Sequence, residues 1–279
     1  MQSYTLIGHP LGHSMSPWIH KRLFALSGVQ AQYTLTDIED LAAAQPALRR
    51  LGGYNITIPH KVGIIPFLDA LDKTAERYGA VNCVCNRDGQ STGYNTDCTG
   101  FLRSVEDLPL SGRVLLIGCG GVGRMMAREA AQAGASLTLT DRDPAAAQAL
   151  AASLLETCPG ASVRAVQRIP EEDFDLLMNA CPVGMYPRTD ACPVEDAVIE
   201  RSAAVFDVIY NPVRTRLVEK ALALGKPARG GSAMLVWQAV RAHEIWYGAA
   251  FDPARITALI DGMEAQITRD FPTEGGRQA

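Results

Sequence analysis

Val114-Leu-Leu-Ile-Gly118-Cys119-Gly120-Gly121-Val122-Gly123 is the stretch on which the fold turns. An uninterrupted apolar run of this length reads as a buried strand, and it leads straight into a G-x-G-x-x-G turn. The residues that follow, Arg124 to Ala133, have a helical pattern that Gly134 closes. Strand, glycine turn and helix together make a dinucleotide-binding fingerprint. The glycines permit a tight turn and a close approach of backbone to a pyrophosphate, and the helix amino terminus offers unpaired N–H groups. A plain strand-to-helix turn is the simpler alternative, and the flanking strand and helix argue against it.

Eighteen residues after Gly123, at the end of the next strand (Leu137 to Thr140), stands Asp141. A carboxylate there accepts hydrogen bonds from an adenosine ribose, which favours NAD. A 2'-phosphate would meet the charge of Asp141 with only Arg142 beside it as compensation, so NADP is the alternative cofactor. Asp141 also has the sequence context of a turn or helix-capping residue, because Asp143-Pro144 follows.

Upstream, strands and helices alternate. Residues 3–8 read as a strand, and Pro17 to Ser27 as a helix with Ser16 as N-cap, ended by Gly28. Gln32 to Thr36 reads as a strand, Asp40 to Leu51 as an alanine-rich helix, and Gly53 to Ile58 as a strand stopped by Pro59. Downstream, Leu176 to Met178 and Ala204 to Val208 are strands, Met234 to Tyr247 is a helix with one side buried, and the tail after Phe271 is polar and frayed. This alternation predicts an α/β fold of two domains: an α/β domain with a mostly parallel sheet and a Rossmann-like dinucleotide-binding domain. A chain of 279 residues suits two domains better than one.

Composition narrows the function. With 47% hydrophobic and 20% charged residues and a net charge of −4, the chain has neither a nucleic-acid footprint nor a membrane span, so its partner is a small molecule. The amino-terminal residues do not read as a signal peptide, and seven cysteines, an odd number, fit a cytoplasmic protein with free thiols. The spacings of Cys83-Val-Cys85, of Cys181 and Cys192, and of His9 and His13 do not suit a metal site. Surface composition is compatible with a monomer or a homodimer.

Two constellations carry chemistry. In Asn55-Ile-Thr57-Ile-Pro59-His60-Lys61 a lysine follows a strand, and Gly93-Tyr-Asn-Thr-Asp97-Cys-Thr-Gly100 places a carboxylate just before the dinucleotide-binding half. Oxidising an alcohol by hydride transfer needs a base for the hydroxyl proton, and Lys61 with Asp97 is a plausible pair. Sequence leaves open which of the two holds the proton. In Gly8-His-Pro-Leu-Gly-His13-Ser14-Met-Ser16-Pro17 two serines beside a helix start can aim hydroxyls at a carboxylate, although Ser16 equally suits simple N-capping.

These blocks, with Gly79-Ala-Val-Asn82, Asn179-Ala-Cys-Pro-Val-Gly-Met185, Asp207-Val-Ile-Tyr210-Asn-Pro and Gly231-Ser-Ala-Met234-Leu-Val-Trp-Gln238, run in order along nearly the whole chain. Together they resemble the shikimate/quinate dehydrogenase family. The resemblance implies a substrate-binding domain from residues 1–100 plus 234–279, an NAD(P)-binding domain from 101–233, and an active site in the cleft. It implies reversible oxidation of shikimate to 3-dehydroshikimate, or of quinate to 3-dehydroquinate. By the family pattern Lys61 and Asp97 are the catalytic pair. Ser14 and Ser16, with Tyr210, hold the substrate carboxylate, and Thr57, Asn82 and Gln238 reach ring hydroxyls or neighbouring catalytic groups. Gly118, Cys119, Gly120, Gly121, Val122 and Gly123 would form the cofactor turn with Asp141 and Arg142, and Val208 and Gly231 the nicotinamide side.

Lys21, Cys83, Cys98 and Cys181 depart from the residues common in the family, yet none removes a catalytic group. Asp141-Arg-Asp143 replaces the Asn-Arg-Thr frequent in NADP-using biosynthetic members and looks more like the NAD-using branch. A non-catalytic NAD- or metabolite-sensing module on the same scaffold is the rival from another class, and retention of both Lys61 and Asp97 opposes it. A methylenetetrahydrofolate dehydrogenase is opposed by the paired serines and the Asn-Thr-Asp block, while an aminoshikimate-like substrate stays open.

Overall fold

The computed structural model describes residues 2–12 and 14–272. His13 and the polar tail beyond Pro272 lie outside the described residues. The chain forms two compact units, Met1–Gly100 with Val236–Met263 and Phe101–Leu235 with Glu264–Ala279.

The first unit begins β1 (Gln2–Gly8), α1 (Ser16–Ser27), β2 (Ala31–Asp37), α2 (Leu41–Leu48), β3 (Gly53–Ile56) and α3 (His60–Gly63). It continues with β4 (Ala70–Leu71), α4 (Lys73–Tyr78), β5 (Cys83–Arg87), β6 (Gln90–Tyr94) and the start of α5 (Asp97–Ser104), whose residues from Phe101 onward belong to the second unit. Its sheet has the order β2-β1-β3-β5-β6-β4. Three pairings are parallel (β1 with β2, β1 with β3, β4 with β6) and two antiparallel (β3 with β5, β5 with β6). Both faces are covered. Ile7, Tyr54, Ile56 and Val84 pack with Leu48 and Ala75 on one side, and Tyr4, Cys83 and Cys85 pack with Phe24 and Trp246 on the other. Gly53 matters here, because a Cβ would stand 2.3 Å from the Trp246 indole nitrogen, which donates to the Val84 carbonyl at 2.9 Å.

Three boundaries differ from expectation for identifiable reasons. Ser16 is not the N-cap of α1: that position is Met15, and no side chain caps the helix. The helix begins one residue earlier than expected, so Ser16 stands inside its first turn, with its N–H donating to Ser14 Oγ at 3.2 Å. The alanine-rich helix stops at Leu48, three residues early, as the chain turns toward β3, and Asp40 proves to be its N-cap, accepting from Ala42 and Ala43 N–H. The strand from Gly53 stops at Ile56, and Thr57 and Ile58 lead through Pro59 into α3, so Lys61 rides on a one-turn helix.

The second unit comprises β7 (Arg113–Ile117), α6 (Gly121–Gln132), β8 (Ser136–Thr140), α7 (Pro144–Thr157), β9 (Ser162–Ala165), β10 (Phe174–Asn179), α8 (Asp196–Glu200), β11 (Ser202–Asp207), α9 (Arg216–Ala223) and β12 (Ala228–Arg229). The long helices α10 (Ser232–Tyr247) and α11 (Pro253–Asp270) each contribute residues to both units. All five strand pairings of the second sheet are parallel, in the order β12-β11-β10-β7-β8-β9. This is the 3-2-1-4-5-6 order of a Rossmann sheet, with its reversal between β7 and β10. Leu115, Ile117, Leu177 and Val205 pack against Ile199, Leu217 and Ala221 on one face. The seven cysteines are thiols, five of them buried. Among the described residues, no helix is long and apolar enough to cross a membrane.

Candidate active site

The first unit gathers its polar residues at one end of its sheet, and the strand pattern explains why. β1 and β3 are parallel, so the segments following both leave by the same edge. β5 runs antiparallel to β3, with Asn55 opposite Cys83, so Asn82 enters at that edge. β6 returns antiparallel to β5, bringing Tyr94 opposite Cys83 and the Asn-Thr-Asp block beside Asn82. Lys61 Nζ donates to Asp97 Oδ2 at 2.6 Å, and Asn82 Nδ2 donates to Asp97 Oδ1 at 2.7 Å. Asn82 is further fixed by accepting from Thr96 N–H at 2.7 Å, and the Thr96 hydroxyl lies 3.4 Å from Gln238 Oε1.

Stability alone does not account for this arrangement. The Lys61 and Asp97 side chains are 27% and 18% exposed, and a solvent-accessible ion pair contributes only about 0–1 kcal/mol. The same groups are suited to proton chemistry, because a lysine and a carboxylate locked by neighbours can take and return a proton at a fixed point.

The serine loop is fastened separately. His9 Nδ1 pairs with Asp37 Oδ1 at 2.6 Å, Leu11 N–H donates to Asp37 Oδ2 at 2.7 Å, and His9 N–H donates to the Ile58 carbonyl at 3.1 Å. The His9 contact pulls the Asp37 carboxyl below its ordinary range, and Asp37 in turn raises the His9 imidazole. Ser14 Oγ accepts from Ser16 N–H at 3.2 Å. Thr57 follows β3, with its methyl against Gly8, where a Cβ would stand only 2.5 Å away. Ser14, Ser16, Thr57, Lys61, Asn82, Asp97 and Gln238 thus belong to one unit. Tyr210 belongs to the other, on the loop after β11, where burial raises its phenol.

In the second unit the glycine turn divides by role. Gly118 has φ +94 and abuts Ala180 and Cys181, and a Cβ on Gly123 would stand 1.9 Å from the Gly118 carbonyl oxygen. These two glycines serve the turn and the close packing of helix on strand. A Cβ on Gly120 or Gly121 would meet nothing within 4 Å. Protein packing does not demand those two; bare backbone in open space at the start of the 12-residue α6 is what a pyrophosphate requires. Asp141 closes the turn from the side, accepting from Cys119 N–H at 2.7 Å and from Asp143 N–H at 2.9 Å. The N-cap of α7 is Asp143. Arg142 is exposed, and Arg124 Nε donates to the Cys119 carbonyl at 3.2 Å. Val208 and Gly231 meet as well: a Cβ on Gly231 would stand 2.0 Å from the Val208 carbonyl oxygen.

Residues 6–84 match the model of the shikimate dehydrogenase substrate binding domain, and residues 114–236 that of the saccharopine dehydrogenase NADP binding domain. The shikimate dehydrogenase (NADP(+)) of Moorella thermoacetica is 40% identical over 256 residues, 87% of each chain. The chain belongs to the shikimate dehydrogenase family. Among solved structures, a shikimate dehydrogenase in complex with NADP+ matches with a TM-score of 0.87 at 32% identity, over 96% of both chains. The quinate dehydrogenase of Corynebacterium glutamicum in complex with NAD matches with 0.82 at 29%, over 94% of this chain and 99% of that one. A 5-ketofructose reductase of Gluconobacter also matches, with 0.82 at 32%, over 94% and 98%. Shikimate dehydrogenase relatives therefore share this fold with proteins named for other substrates.

Within this shikimate dehydrogenase scaffold, sequence reading missed some of the supports. Tyr33 donates to Asn55 Oδ1 at 2.8 Å, and Asn55 Nδ2 donates to the Asn82 carbonyl at 3.2 Å, which ties β2 through β3 to the Asn82 side of the site. Tyr33 lies on β2 and Asn55 on β3, each bordering β1, and no local spacing signals that meeting. The β5–β6 hairpin did carry a signal: Asp88-Gly89, with φ of 52 and 79, is the Asp-Gly pair favoured in two-residue hairpin turns.

Proposed function

We propose that this protein is an NAD-preferring shikimate dehydrogenase that interconverts shikimate and 3-dehydroshikimate, and that it also accepts quinate. The observation that carries the reading is the Lys61–Asp97–Asn82 cluster, 2.6 and 2.7 Å between heavy atoms, in a chain of this family. The unit holding that cluster is assigned the substrate, and the unit holding the glycine turn the cofactor. Bound on that turn, a nicotinamide dinucleotide supplies the hydride acceptor.

The residues of the chain do the rest. Ser14 and Ser16 offer hydroxyls to the substrate carboxylate, Tyr210 keeps the role the family pattern gives it, and Thr57 and Gln238 are assigned to ring hydroxyls. In oxidation the substrate hydroxyl gives its proton to the Lys61–Asp97 pair as the carbinol C–H bond yields hydride; in reduction the pair returns it. Asn82 and Thr96 keep the Asp97 carboxylate from swinging out of line. Val208 and Gly231 are assigned to the nicotinamide side.

Relatives in the family are named NADP(+)-dependent, and Asp141 supports the opposite preference here. Its carboxylate is clamped beside the glycine turn, where a ribose 2'-hydroxyl can donate to it and a 2'-phosphate is repelled. Quinate is supported by the likeness to the quinate dehydrogenase crystallised with NAD.

The test is shikimate-dependent reduction of the cofactor followed at the nicotinamide absorbance, in wild type and Lys61→Ala. The variant should lose about 10²- to 10⁴-fold in kcat with cofactor affinity nearly unchanged. Near-normal turnover in the variant, or no turnover of either acid by wild type, would refute the assignment.

A further inference from the structure

Asp207, the last residue of β11, is wholly buried, and its three hydrogen-bond donors are all neutral. The Thr215 hydroxyl donates at 2.7 Å, Asn179 Nδ2 at 3.0 Å and Ile209 N–H at 3.1 Å. Enclosing a carboxylate without a cation is expensive, and burial raises the Asp207 carboxyl to about 6. A neutral residue would serve packing at lower cost, so the reason for the carboxylate is sought in what it holds.

It holds the loops at the carboxyl end of the sheet. Asn179, fixed by Asp207, accepts from Cys181 N–H at 3.1 Å and also reaches the Cys181 carbonyl at 3.2 Å. Val208 N–H donates to the Asn179 carbonyl at 3.0 Å, and Gly231 N–H to the Ile209 carbonyl at 2.9 Å. Thr215, the third partner, is the N-cap of α9. One carboxylate thus joins the ends of β10 and β11, the start of α9 and, through Ile209, the loop preceding α10.

A dinucleotide with its adenosine ribose at Asp141, after β8, and its pyrophosphate at the turn after β7 must extend its other half past the strand reversal, over the ends of β10 and β11. Resting on the cofactor assignment above, we infer that Asp207 is a positioning residue for the nicotinamide half of the cofactor: it sets the 180–181 and 208–209 loops in the places that half requires.

The experiment measures dissociation constants of NADH, by nicotinamide fluorescence, and of ADP-ribose, by calorimetry, for wild type, Asp207→Asn and Thr215→Val. ADP-ribose carries the adenosine and pyrophosphate portions without the nicotinamide. For Asp207→Asn, NADH should weaken about tenfold, roughly 1.4 kcal/mol, while ADP-ribose stays within about twofold. Thr215→Val, which removes one donor and is the fallback if Asp207→Asn does not fold, should show the same split at about threefold. Equal weakening of both ligands, or of neither, in the variants that fold would overturn the inference. Wild type that binds neither ligand would overturn the cofactor assignment itself.

Discussion

Asp141 and Lys61 represent two kinds of residue, and the difference decides how each is tested. Asp141 has both carboxylate oxygens engaged by backbone N–H groups at 2.7 and 2.9 Å, so it shapes the turn besides making the ribose contact proposed for it. An Asp141→Asn variant keeps the shape but loses the charge, and should narrow the ratio of kcat/KM for NAD over NADP by about tenfold, since a lost charge repulsion of about 1.4 kcal/mol suffices. An unchanged ratio would contradict the ribose contact. Lys61 was legible from its motif, and so was Asp97. Tyr33 was not: it donates to Asn55, a meeting created by strand order and invisible in the neighbouring sequence.

Among the elements, α10 stands out for its histidine. His243, on α10, lies 2.8 Å from His20 Nδ1 on α1, and the Tyr247 hydroxyl also hydrogen-bonds to its Nδ1. Burial holds His20 well below the usual imidazole range and lowers His243 to about 3. In the unfolded chain both titrate near 6.5. The native state therefore binds fewer protons below that pH, and stability must fall as pH drops from about 6.5 toward 3. All three tryptophans, Trp18, Trp237 and Trp246, lie in the unit that contains these histidines, so their fluorescence reports its unfolding. The urea midpoint followed by that signal should be lower at pH 5 than at pH 7, and the drop should shrink in His243→Gln. A midpoint that does not move between the two pH values would show that the pair is not buried neutral. Element boundaries were legible where a glycine enforces them, as at Gly28. They were misread where no such residue sits at the boundary, as at Leu48, where α2 ends.

At the scale of the whole molecule, the two α/β units are built on different strand plans. The all-parallel second sheet, with its 3-2-1-4-5-6 order, follows from one strand–turn–helix signal and the alternation around it. The mixed sheet of the first unit was less legible, because its antiparallel β5 and β6 depend on a short hairpin whose Asp88-Gly89 turn is the only local mark. Yet that hairpin delivers Asn82 and Asp97 to the edge where β3 delivers Lys61, so the proposed chemistry depends on the part of the fold hardest to read. Reaction and cofactor can be tested together on the intact protein. Initial rates with shikimate, using NAD and NADP in parallel, should give measurable oxidation with both and a kcat/KM at least about tenfold higher with NAD. A preference for NADP would contradict the role given to Asp141, and the absence of shikimate oxidation with either cofactor would contradict the account as a whole.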